Sequence, residues 1–189
     1  MRVISGENKG RKLKTVNSRM TRPTTDKVKE TIFNMIGPFF DGGMVLDLYG
    51  GSGGLGIEAL SRGCAFSVFV DRAAAACNII RENVAACGYK ERAKIMKLEA
   101  ARALEQLSVE NREFTLVFID PPYAKQHILN DLDTLVKRRL LRPNAVVVVE
   151  HDEDVQLPDT WEGKLVRKKY RTYQGYTAVS VYHFDDVKE

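Results

Sequence analysis

The chain has 189 residues, of which 44% are hydrophobic, which suffices for one domain of ordinary size with a full core. No apolar run approaches the ~20 residues that a membrane-spanning helix needs, and the N-terminus lacks the apolar core of a signal peptide. We therefore expect a cytoplasmic protein with no membrane partner.

The net charge of +4 is distributed unevenly along the chain. Residues 1–22 carry seven basic side chains and one acidic side chain, so this segment has a charge of +6 and the rest sums to −2. Concentrated positive charge beside an acidic body attracts polyanions through counterion release. We predict nucleic acid as the partner, contacted by the basic residues of this segment. They are Arg2, Lys9, Arg11, Lys12, Lys14, Arg19 and Arg22.

A second basic cluster lies near the C-terminus. It consists of Lys164, Arg167, Lys168, Lys169 and Arg171. Such a cluster is either a further contact for nucleic acid or simply a solvated face, and the sequence leaves both interpretations open.

The cysteines and histidines do not predict a metal site. Cys64, Cys77 and Cys87 are odd in number and lie in apolar surroundings without C-x-x-C spacing, which predicts buried, reduced thiols. The three histidines are equally scattered.

The first forty residues are predicted to form a basic hairpin and one helix. Residues 3–16 contain a Glu7–Gly10 turn in which Asn and Gly favour the positive φ angles of hairpin turns. The helix follows a cap at Thr24 or Thr25 and ends at Gly37. We expect residues 1–40 to extend a body of residues 41–189 within a single domain.

From residue 44 onward, short apolar runs alternate with helical patterns, which is typical of a parallel sheet covered by helices. The predicted strands are 45–49, 67–71, 94–98, 115–120 and 145–150, and the predicted helices are 55–62, 73–87, 100–107 and 126–140. Residues 165–173 and 176–184 flank Gln174-Gly175 as a final hairpin. The prediction is an α/β fold with a seven-stranded, mostly parallel sheet, one antiparallel strand and helices on both faces.

Residues suited to a nucleoside ligand follow three predicted strands. A glycine-rich loop, Gly50–Gly56, comes after the first strand and would let backbone approach a ligand closely. Asp71 ends the second strand and could accept both ribose hydroxyls, whereas Glu99 follows the third and could meet an adenine edge. Taken singly, Asp71 is equally suited to cap a helix, and Glu99 to be a first-turn acid.

The loop also matches the G-x-G-x-x-G pattern of dinucleotide-binding proteins, with Asp71 twenty residues on. Asp47, a carboxylate just before the glycines, would repel a pyrophosphate but attract a sulfonium or an ammonium group. We therefore favour a cationic nucleoside cofactor over NAD.

The fourth strand ends in Asp120-Pro121-Pro122-Tyr123. The prolines cannot donate backbone hydrogen bonds and hold the preceding residue extended, so the chain leaves the sheet as a stiff turn. This turn offers one carboxylate, backbone carbonyls that no neighbouring strand can use, and one aromatic ring. Such groups are suited to bind a planar base by its amino group. We predict Asp120, Pro121, Pro122 and Tyr123 as the catalytic residues.

The chain resembles the bacterial small-subunit (16S) rRNA guanine-N2 methyltransferase family. The likeness rests on Asp47–Gly63, on the segment Arg22–Glu30 and on Asp120–Ala124, and it includes the closing Tyr173–Thr177. Two positions depart from the pattern, because Gly50 stands where the family more often has Ala and Glu99 where Asp is commoner.

The resemblance implies a Rossmann-like class I methyltransferase fold, S-adenosylmethionine as methyl donor, and an rRNA guanine presented in a small-subunit assembly particle. It assigns the methionine part to the glycine loop, the ribose to Asp71, the adenine to Glu99 and the target base to Asp120–Tyr123. The expected cofactor residues are Asp47, Tyr49, Gly51, Ser52, Gly53, Asp71, Arg72, Glu99, Ala100 and Asp120. A monomer is favoured, although the sequence does not fix the oligomeric state.

Two alternatives stay open at this point. An enzyme that methylates adenine N6 or a glutamine amide would share the Asp120–Tyr123 turn, and the basic segment favours nucleic acid over a protein amide. A protein that binds RNA and has kept the fold without catalysis is the other alternative.

Overall fold

An eight-stranded sheet runs through the computed structural model, which describes residues 1–16, 26–122, 125–173 and 176–185. Its strands are β1 (Met44–Leu48), β2 (Phe66–Asp71), β3 (Ala93–Lys97), β4 (Phe114–Ile119), β5 (Leu141–Asp152), β6 (Thr160–Trp161), β7 (Leu165–Tyr173) and β8 (Thr177–Phe184). Their spatial order is β3-β2-β1-β4-β5-β8-β7-β6. The order reverses between β1 and β4, which creates a crevice at the carboxyl ends of these strands.

Strand directions agree with the predicted mostly parallel sheet. Strands β1 to β5 are mutually parallel, and β8 is antiparallel to both of its neighbours, β5 and β7. The described residues contain one strand more than the seven predicted, because the two-residue β6 pairs antiparallel with β7. A strand of two residues is too short to produce a recognisable alternation in the sequence.

Helices cover both faces of the sheet. They are α1 (Asp26–Ile36), α2 (Gly54–Ser61), α3 (Ala74–Ala86), α4 (Ala100–Val109) and α5 (Lys125–Lys137). Leu104 and Leu132, from α4 and α5, pack in one core cluster with Val117 of β4. Phe33 of α1 packs with Phe118, the next residue of the same strand, in a separate cluster. Successive strand residues therefore serve opposite layers, which is why the buried strands are almost continuously apolar.

Most predicted boundaries are correct to within one or two residues. The two exceptions are the end of α5, which lies at Lys137 rather than at 140, and the start of β5. We predicted β5 from residue 145, whereas the strand begins at Leu141. The β4–β5 register shifts between Phe114 and Leu116, and Asn144 has φ 66, so an irregular stretch containing Pro143 is included in the strand. Proline and asparagine disfavour strands in the sequence, and the bulge accommodates them.

The N-terminal hairpin is present but short. The amide of Val3 donates to the Arg11 carbonyl, and that of Leu13 to the Met1 carbonyl, each at 2.9 Å. Only an isolated antiparallel bridge, Arg2 with Lys12, forms here in place of the longer strands expected. The predicted caps Thr24 and Thr25 and the predicted Gln174-Gly175 turn lie outside the described residues.

The hairpin docks on α2 through Glu58, whose side chain is fully buried. The Glu58 carboxylate accepts the backbone amides of Ile4 at 2.8 Å and Ser5 at 3.1 Å. It also pairs with Lys29 of α1 at 3.3 Å and with Arg62 at 2.8 Å. Burial lowers the pKa of Lys29, and the Glu58 carboxylate opposes that shift. One carboxylate thus joins the hairpin, α1 and α2.

Close packing between the hairpin and α2 reinforces this connection. Gly6 has φ +89, and a Cβ at this position would collide with the Ser61 carbonyl oxygen. The Ser61 hydroxyl donates to the Ser5 carbonyl at 2.7 Å and accepts the Asn8 amide at 3.0 Å. Within the described residues, no helix has the length and apolar character that crossing a membrane requires.

We predict that Glu58→Ala lowers the free energy of unfolding by about 3–5 kcal/mol, because Lys29 and Arg62 would remain buried without their counter-charge. Urea unfolding measures this loss. Glu82→Ala is the matched control, since it removes an exposed ion pair between Glu82 and Lys14 and should cost less than about 1 kcal/mol. Equal losses in the two variants would contradict a central role for Glu58.

Candidate active site

A cavity of about 1060 Å³ opens at the carboxyl ends of the parallel strands. Nine of the ten predicted cofactor residues line it. They are Asp47, Tyr49, Gly51, Ser52, Asp71, Arg72, Glu99, Ala100 and Asp120. The tenth, Gly53, is absent from the lining and instead holds the N-cap position of α2 with φ 82.

Five carboxylates follow the edge of the sheet in the order of its strands. Glu99 comes after β3, Asp71 ends β2, Asp47 is in β1, Asp120 follows β4 and Glu150 is near the end of β5. All five line the cavity. Since neighbouring strands lie about 4.8 Å apart, five adjacent strands each bring one carboxylate to this cavity.

Asp47 is the buried carboxylate of this row, with 2% of its surface exposed. Its Oδ2 accepts the backbone amide of Gly56 at 3.0 Å, which fixes the first turn of α2 against β1. Burial raises the pKa of Asp47 to about 7. The hydrogen bond from Gly56 lowers this pKa, and the nearby charge of Asp71 raises it by a smaller amount. A cation in the cavity would favour the ionised form of this group.

Asp71 organises the backbone around it. Its Oδ2 accepts the amide of Gly51 at 3.0 Å and its Oδ1 accepts the amide of Ala73 at 2.9 Å. The N-cap residue of α3 is Ala73, so Asp71 does not cap that helix. Each carboxylate oxygen has a further lone pair, which leaves acceptor capacity toward the cavity.

The glycine loop owes its shape to left-handed backbone conformations. Gly51 has φ 60 and Gly53 has φ 82, angles that glycine adopts without strain. Asn83 of α3 supports the loop by donating to the Ser52 carbonyl at 2.8 Å. At Gly50, where the family pattern more often has Ala, an added Cβ would lie 3.2 Å from Ile80 Cδ1, so a small shift of Ile80 would admit it.

Glu99 occupies the N-cap position of α4 with φ −65 and ψ 148, but its side chain makes no capping hydrogen bond. The side chain is exposed and lines the cavity. Glu99 is therefore neither a first-turn acid of α4 nor a side-chain cap. Its predicted role at the adenine stays a prediction.

Three of the four predicted catalytic residues, Asp120, Pro121 and Pro122, line the cavity directly after β4. Because β4 lies next to β1, this turn faces the glycine loop across one strand spacing. The fourth residue, Tyr123, lies outside the described residues, as does Ala124.

A pair that we did not predict joins Tyr49, the residue just before the glycine loop, to α5. The Tyr49 hydroxyl donates to Asp131 Oδ2 at 2.7 Å. Burial raises the pKa of Asp131 to about 6, and the Tyr49 hydrogen bond partly opposes that shift. Asp131 stands in the apolar stripe of α5 with Ile128 and Leu135, and an acid at such a position is the signal that would have drawn attention to it.

The far end of the cavity, beyond the Asp120-Pro121-Pro122 turn, was also missed. It is lined by Glu150, His151, Asp152 and Thr177. The His151 Nδ1 lies 2.9 Å from the Asp152 carbonyl, so it carries the proton and donates, and Nε2 accepts from the Ser180 hydroxyl at 2.9 Å. Burial lowers the pKa of His151, which favours this neutral ring.

The N-terminal extension reaches the cavity, with Met1, Thr15, Val16 and Lys29 in its lining. The predicted RNA-binding residues of the hairpin are all exposed. They are Arg2, Lys9, Arg11, Lys12 and Lys14. Arg19 and Arg22 lie outside the described residues.

The C-terminal basic cluster makes several structural contacts. Arg167 pairs with Asp159 at 2.7 Å, and Lys168 lies 3.9 Å from Asp185. Lys169 Nζ donates to the Met35 carbonyl at 2.7 Å, in the last turn of α1. These three positive charges therefore have partners within the protein, and the choice between a solvated face and a nucleic-acid contact stays open.

The three cysteines are free and buried, as predicted. Burial raises the pKa of Cys64 to about 12, which keeps it as an unreactive thiol at neutral pH. Among residues 1–16, 26–122, 125–173 and 176–185, no group of His, Cys, Asp and Glu is arranged to hold a metal ion.

Comparisons with known proteins give the same family over almost the whole chain. A family model described as "Conserved hypothetical protein 95" matches residues 1–183. A Bacillus subtilis protein named "Putative rRNA methyltransferase YlbH" is 47% identical over 182 residues, covering 96% of this chain and 98% of that protein. The ribosomal RNA small subunit methyltransferase D of Haemophilus influenzae is 34% identical over 184 residues, covering 92% and 93%.

Solved structures agree with the fold. The Escherichia coli protein titled "Putative methyltransferase yhhF" superposes with a TM-score of 0.86 at 28% identity, covering 98% of both chains. An RNA methyltransferase from Salinibacter ruber, solved with S-adenosyl-L-homocysteine, has a TM-score of 0.66 at 17% identity, covering 89% of this chain and 97% of its own, and shares the fold. Because both the family model and these relatives match nearly the full length, we conclude that the chain belongs to the ribosomal RNA small subunit methyltransferase D family and has its class I methyltransferase fold.

Proposed function

We propose that this protein is an rRNA methyltransferase that transfers the methyl group of S-adenosylmethionine to the exocyclic N2 amine of a guanine in small-subunit rRNA. The observation that carries the proposal is the shared cavity, in which the glycine loop after β1 lies beside the Asp120-Pro121-Pro122 turn after β4. Donor and acceptor would therefore meet across one strand spacing. The names of the relatives support an rRNA methyltransferase.

The row of carboxylates gives the cofactor an orientation. Glu99 and Asp71 stand on β3 and β2 and would take the adenine and the ribose. Asp47, on β1, would then lie near the positively charged methionine part. Arg72, Ala100, Tyr49 and the loop residues 51–53 would complete this half of the site. The methyl group would point toward β4, where Asp120 stands.

The chemistry needs placement more than a strong base. A sulfonium methyl is already an activated electrophile, so in-line transfer depends on alignment and on the exclusion of water. The amine nitrogen forms a bond to the methyl carbon, the sulfur keeps the electrons of the broken bond, and the amine loses a proton. The products are S-adenosylhomocysteine and the methylated amine.

The difficult partner is the exocyclic amine, whose lone pair is shared with the ring. Asp120 and the Pro121 carbonyl, by accepting its two hydrogens, would localise the lone pair on nitrogen and aim it at the methyl group. They would also stabilise the positive charge that develops there. Tyr123 is proposed to stack on the base once it has left its helix or loop. Pro122 would keep the turn stiff.

The hairpin supplies the proposed RNA contact. The exposed basic residues of the hairpin lie between Met1 and Val16, and both of these end residues line the same cavity. Phosphate contacts there would position a strand so that one base reaches Asp120. Arg19 and Arg22, which lie outside the described residues, are proposed to contact the same RNA.

The proposal is tested by supplying S-adenosylmethionine with a deuterated methyl group to small-subunit particles from cells that lack this enzyme. Nucleoside mass spectrometry should find the label in N2-methylguanosine. Label in N6-methyladenosine would contradict the proposed target, whereas the absence of any labelled nucleoside would contradict catalysis on this substrate.

We predict that S-adenosylmethionine binds more tightly as the pH rises from 6.0 to 7.5. The pKa of Asp47 is about 7 without ligand, so the fraction of ionised Asp47 rises about eightfold over this pH range. Because a cationic ligand prefers the carboxylate form, the affinity should rise by up to the same factor. Isothermal titration calorimetry at the two pH values measures it.

Asp47→Asn is the control for this pH effect. The amide oxygen of Asn can still accept the hydrogen bond from the Gly56 amide, but the side chain cannot ionise. The variant should bind more weakly and without the pH-dependent gain. A wild-type affinity that is flat over this range would mean that Asp47 does not face the cationic part of the cofactor.

Asp120→Ala should slow methyl transfer by ~100-fold or more, which is the scale of losing one electrostatic stabiliser of a transition state. Cofactor affinity should stay within a few fold, because Asp47, Asp71 and Glu99 remain. Single-turnover assays at saturating cofactor measure the chemical step. Asp154→Ala, an exposed carboxylate after β5, serves as the control and should leave the rate unchanged. A near-normal rate in Asp120→Ala would refute the proposal that Asp120 holds the amine of the target base.

Replacing Lys9, Arg11 and Lys12 with Gln should weaken RNA binding and flatten its salt dependence. The slope of log affinity against log salt should fall by up to about 0.9 for each phosphate that the hairpin no longer neutralises. Filter binding with 16S rRNA over a series of salt concentrations gives the slope, and cofactor affinity should not change.

Arg102, Arg138 and Arg139 form a matched triple for this experiment. All three are exposed and lie on or directly after α4 and α5, on the sheet face opposite the hairpin. Their replacement with Gln removes the same charge but should leave the slope nearly constant. Equal slopes for both triples would show that net charge, rather than the hairpin, governs binding.

A further inference from the structure

Asp120 has a neighbouring carboxylate on the next strand. In the parallel ladder of β4 and β5, the last pair is Ile119 with Val149. The residues that follow this pair are Asp120, directly after β4, and Glu150, still within β5. At the Ile119–Val149 pair the two backbones are about 4.8 Å apart, the spacing of adjacent strands, so Asp120 and Glu150 start from neighbouring positions. Both side chains line the cavity.

The two carboxylates also share one face of the sheet. Phe118 and Val148 pack in the cluster beneath α1. Asp120 and Glu150 each lie two residues further along the chain, Asp120 directly after β4 and Glu150 within β5. Strand residues two apart point to the same side, and Pro121 holds Asp120 extended, so this alternation continues to Asp120. Glu150 consequently lies next to Asp120 on the side away from β1, where the cofactor loop is.

We propose that Glu150 recognises the target base as guanine by accepting its N1–H, an inference that rests on the proposed function. On the Watson–Crick edge of guanine the N1–H is adjacent to the N2 amine. A base whose amine is held by Asp120 would present its N1–H along the sheet edge. A carboxylate one strand spacing away is suited to receive it, as a charge-assisted hydrogen bond.

This arrangement rejects bases that lack a donor next to the amine. Adenine carries its exocyclic amine beside an N1 that has a lone pair and no hydrogen. Placed with its amine on Asp120, adenine would direct that lone pair at the Glu150 carboxylate. Sites built to hydrogen-bond an N–H discriminate strongly against analogues without it, because a buried polar group is then left unpaired.

The test uses particles in which the target guanine is replaced by 2-aminopurine. This base keeps the exocyclic N2 amine but has an unprotonated N1. Wild-type enzyme should methylate it at least ~100-fold more slowly than guanine in single-turnover assays, and this arm needs no protein variant. Equal rates on the two bases would overturn the inference.

Glu150→Gln is the matching change in the protein. Its amide oxygen can still accept from guanine, whereas its NH₂ group can donate to the N1 of 2-aminopurine. The rate on guanine should fall roughly 10- to 100-fold, as for a lost hydrogen bond to a charged group. The preference for guanine over 2-aminopurine should shrink by at least about 10-fold. A loss of rate that is equal on both bases would assign Glu150 a structural role instead and overturn the inference.

Glu153→Gln removes the same charge three residues away, at an exposed position outside the cavity lining, and should match the wild type on both bases. Urea unfolding and S-adenosylmethionine affinity of Glu150→Gln should also match the wild type. Absence of N2-methylguanosine with the wild-type enzyme would contradict the proposed function. Its presence with an unchanged preference in Glu150→Gln would contradict only the role of Glu150.

Discussion

The buried carboxylate of Glu58 is the interaction on which the rest of the structure depends. It lies in α2, the helix that directly follows the glycine loop, and every residue of that helix is buried. By accepting two hairpin amides and pairing with Lys29 and Arg62, it fixes the hairpin and α1 against α2. Such a group is costly to bury, and its partners compensate for that cost only when all are present.

Asn83 provides a second link between the same parts. Its amide donates to the carbonyls of both Lys14 in the hairpin and Ser52 in the glycine loop, and its Oδ1 accepts the Lys14 amide. The basic surface proposed for RNA and the loop proposed for the cofactor therefore belong to one connected unit. The hairpin is thus held at two points, by Glu58 and by Asn83, next to the glycine loop.

The sheet explains how residues far apart in the sequence form one site. Each of the five carboxylates that line the cavity lies near the end of a strand, and the order β3-β2-β1-β4-β5 places them in a linear series. The series has a direction, with the predicted adenine end at Glu99 and the proposed base end at Glu150. Transfer of a methyl group from one half to the other needs a donor and an acceptor that meet at the middle, between Asp47 and Asp120.

Much of this could be predicted because the signals are local. Apolar runs that alternate with helical patterns indicated the parallel sheet, and a run of glycines indicated the loop, in which Gly51 and Gly53 adopt positive φ. The two-residue β6 and the early start of β5 were missed, since pairing with a neighbour rather than local pattern creates them. Asp131 and Glu150 were missed for a similar reason, because their importance follows from which strand or loop lies beside them.

The central claim, methylation of a guanine N2 in small-subunit rRNA, is tested most directly in cells. Nucleoside mass spectrometry of 16S rRNA would compare a strain lacking the gene with the same strain carrying the wild-type gene or the Asp120→Ala gene. The account predicts that N2-methylguanosine decreases on deletion, is restored by the wild-type gene and is not restored by Asp120→Ala. An unchanged N2-methylguanosine content after deletion, or a loss of a different methylated nucleoside in its place, would contradict it.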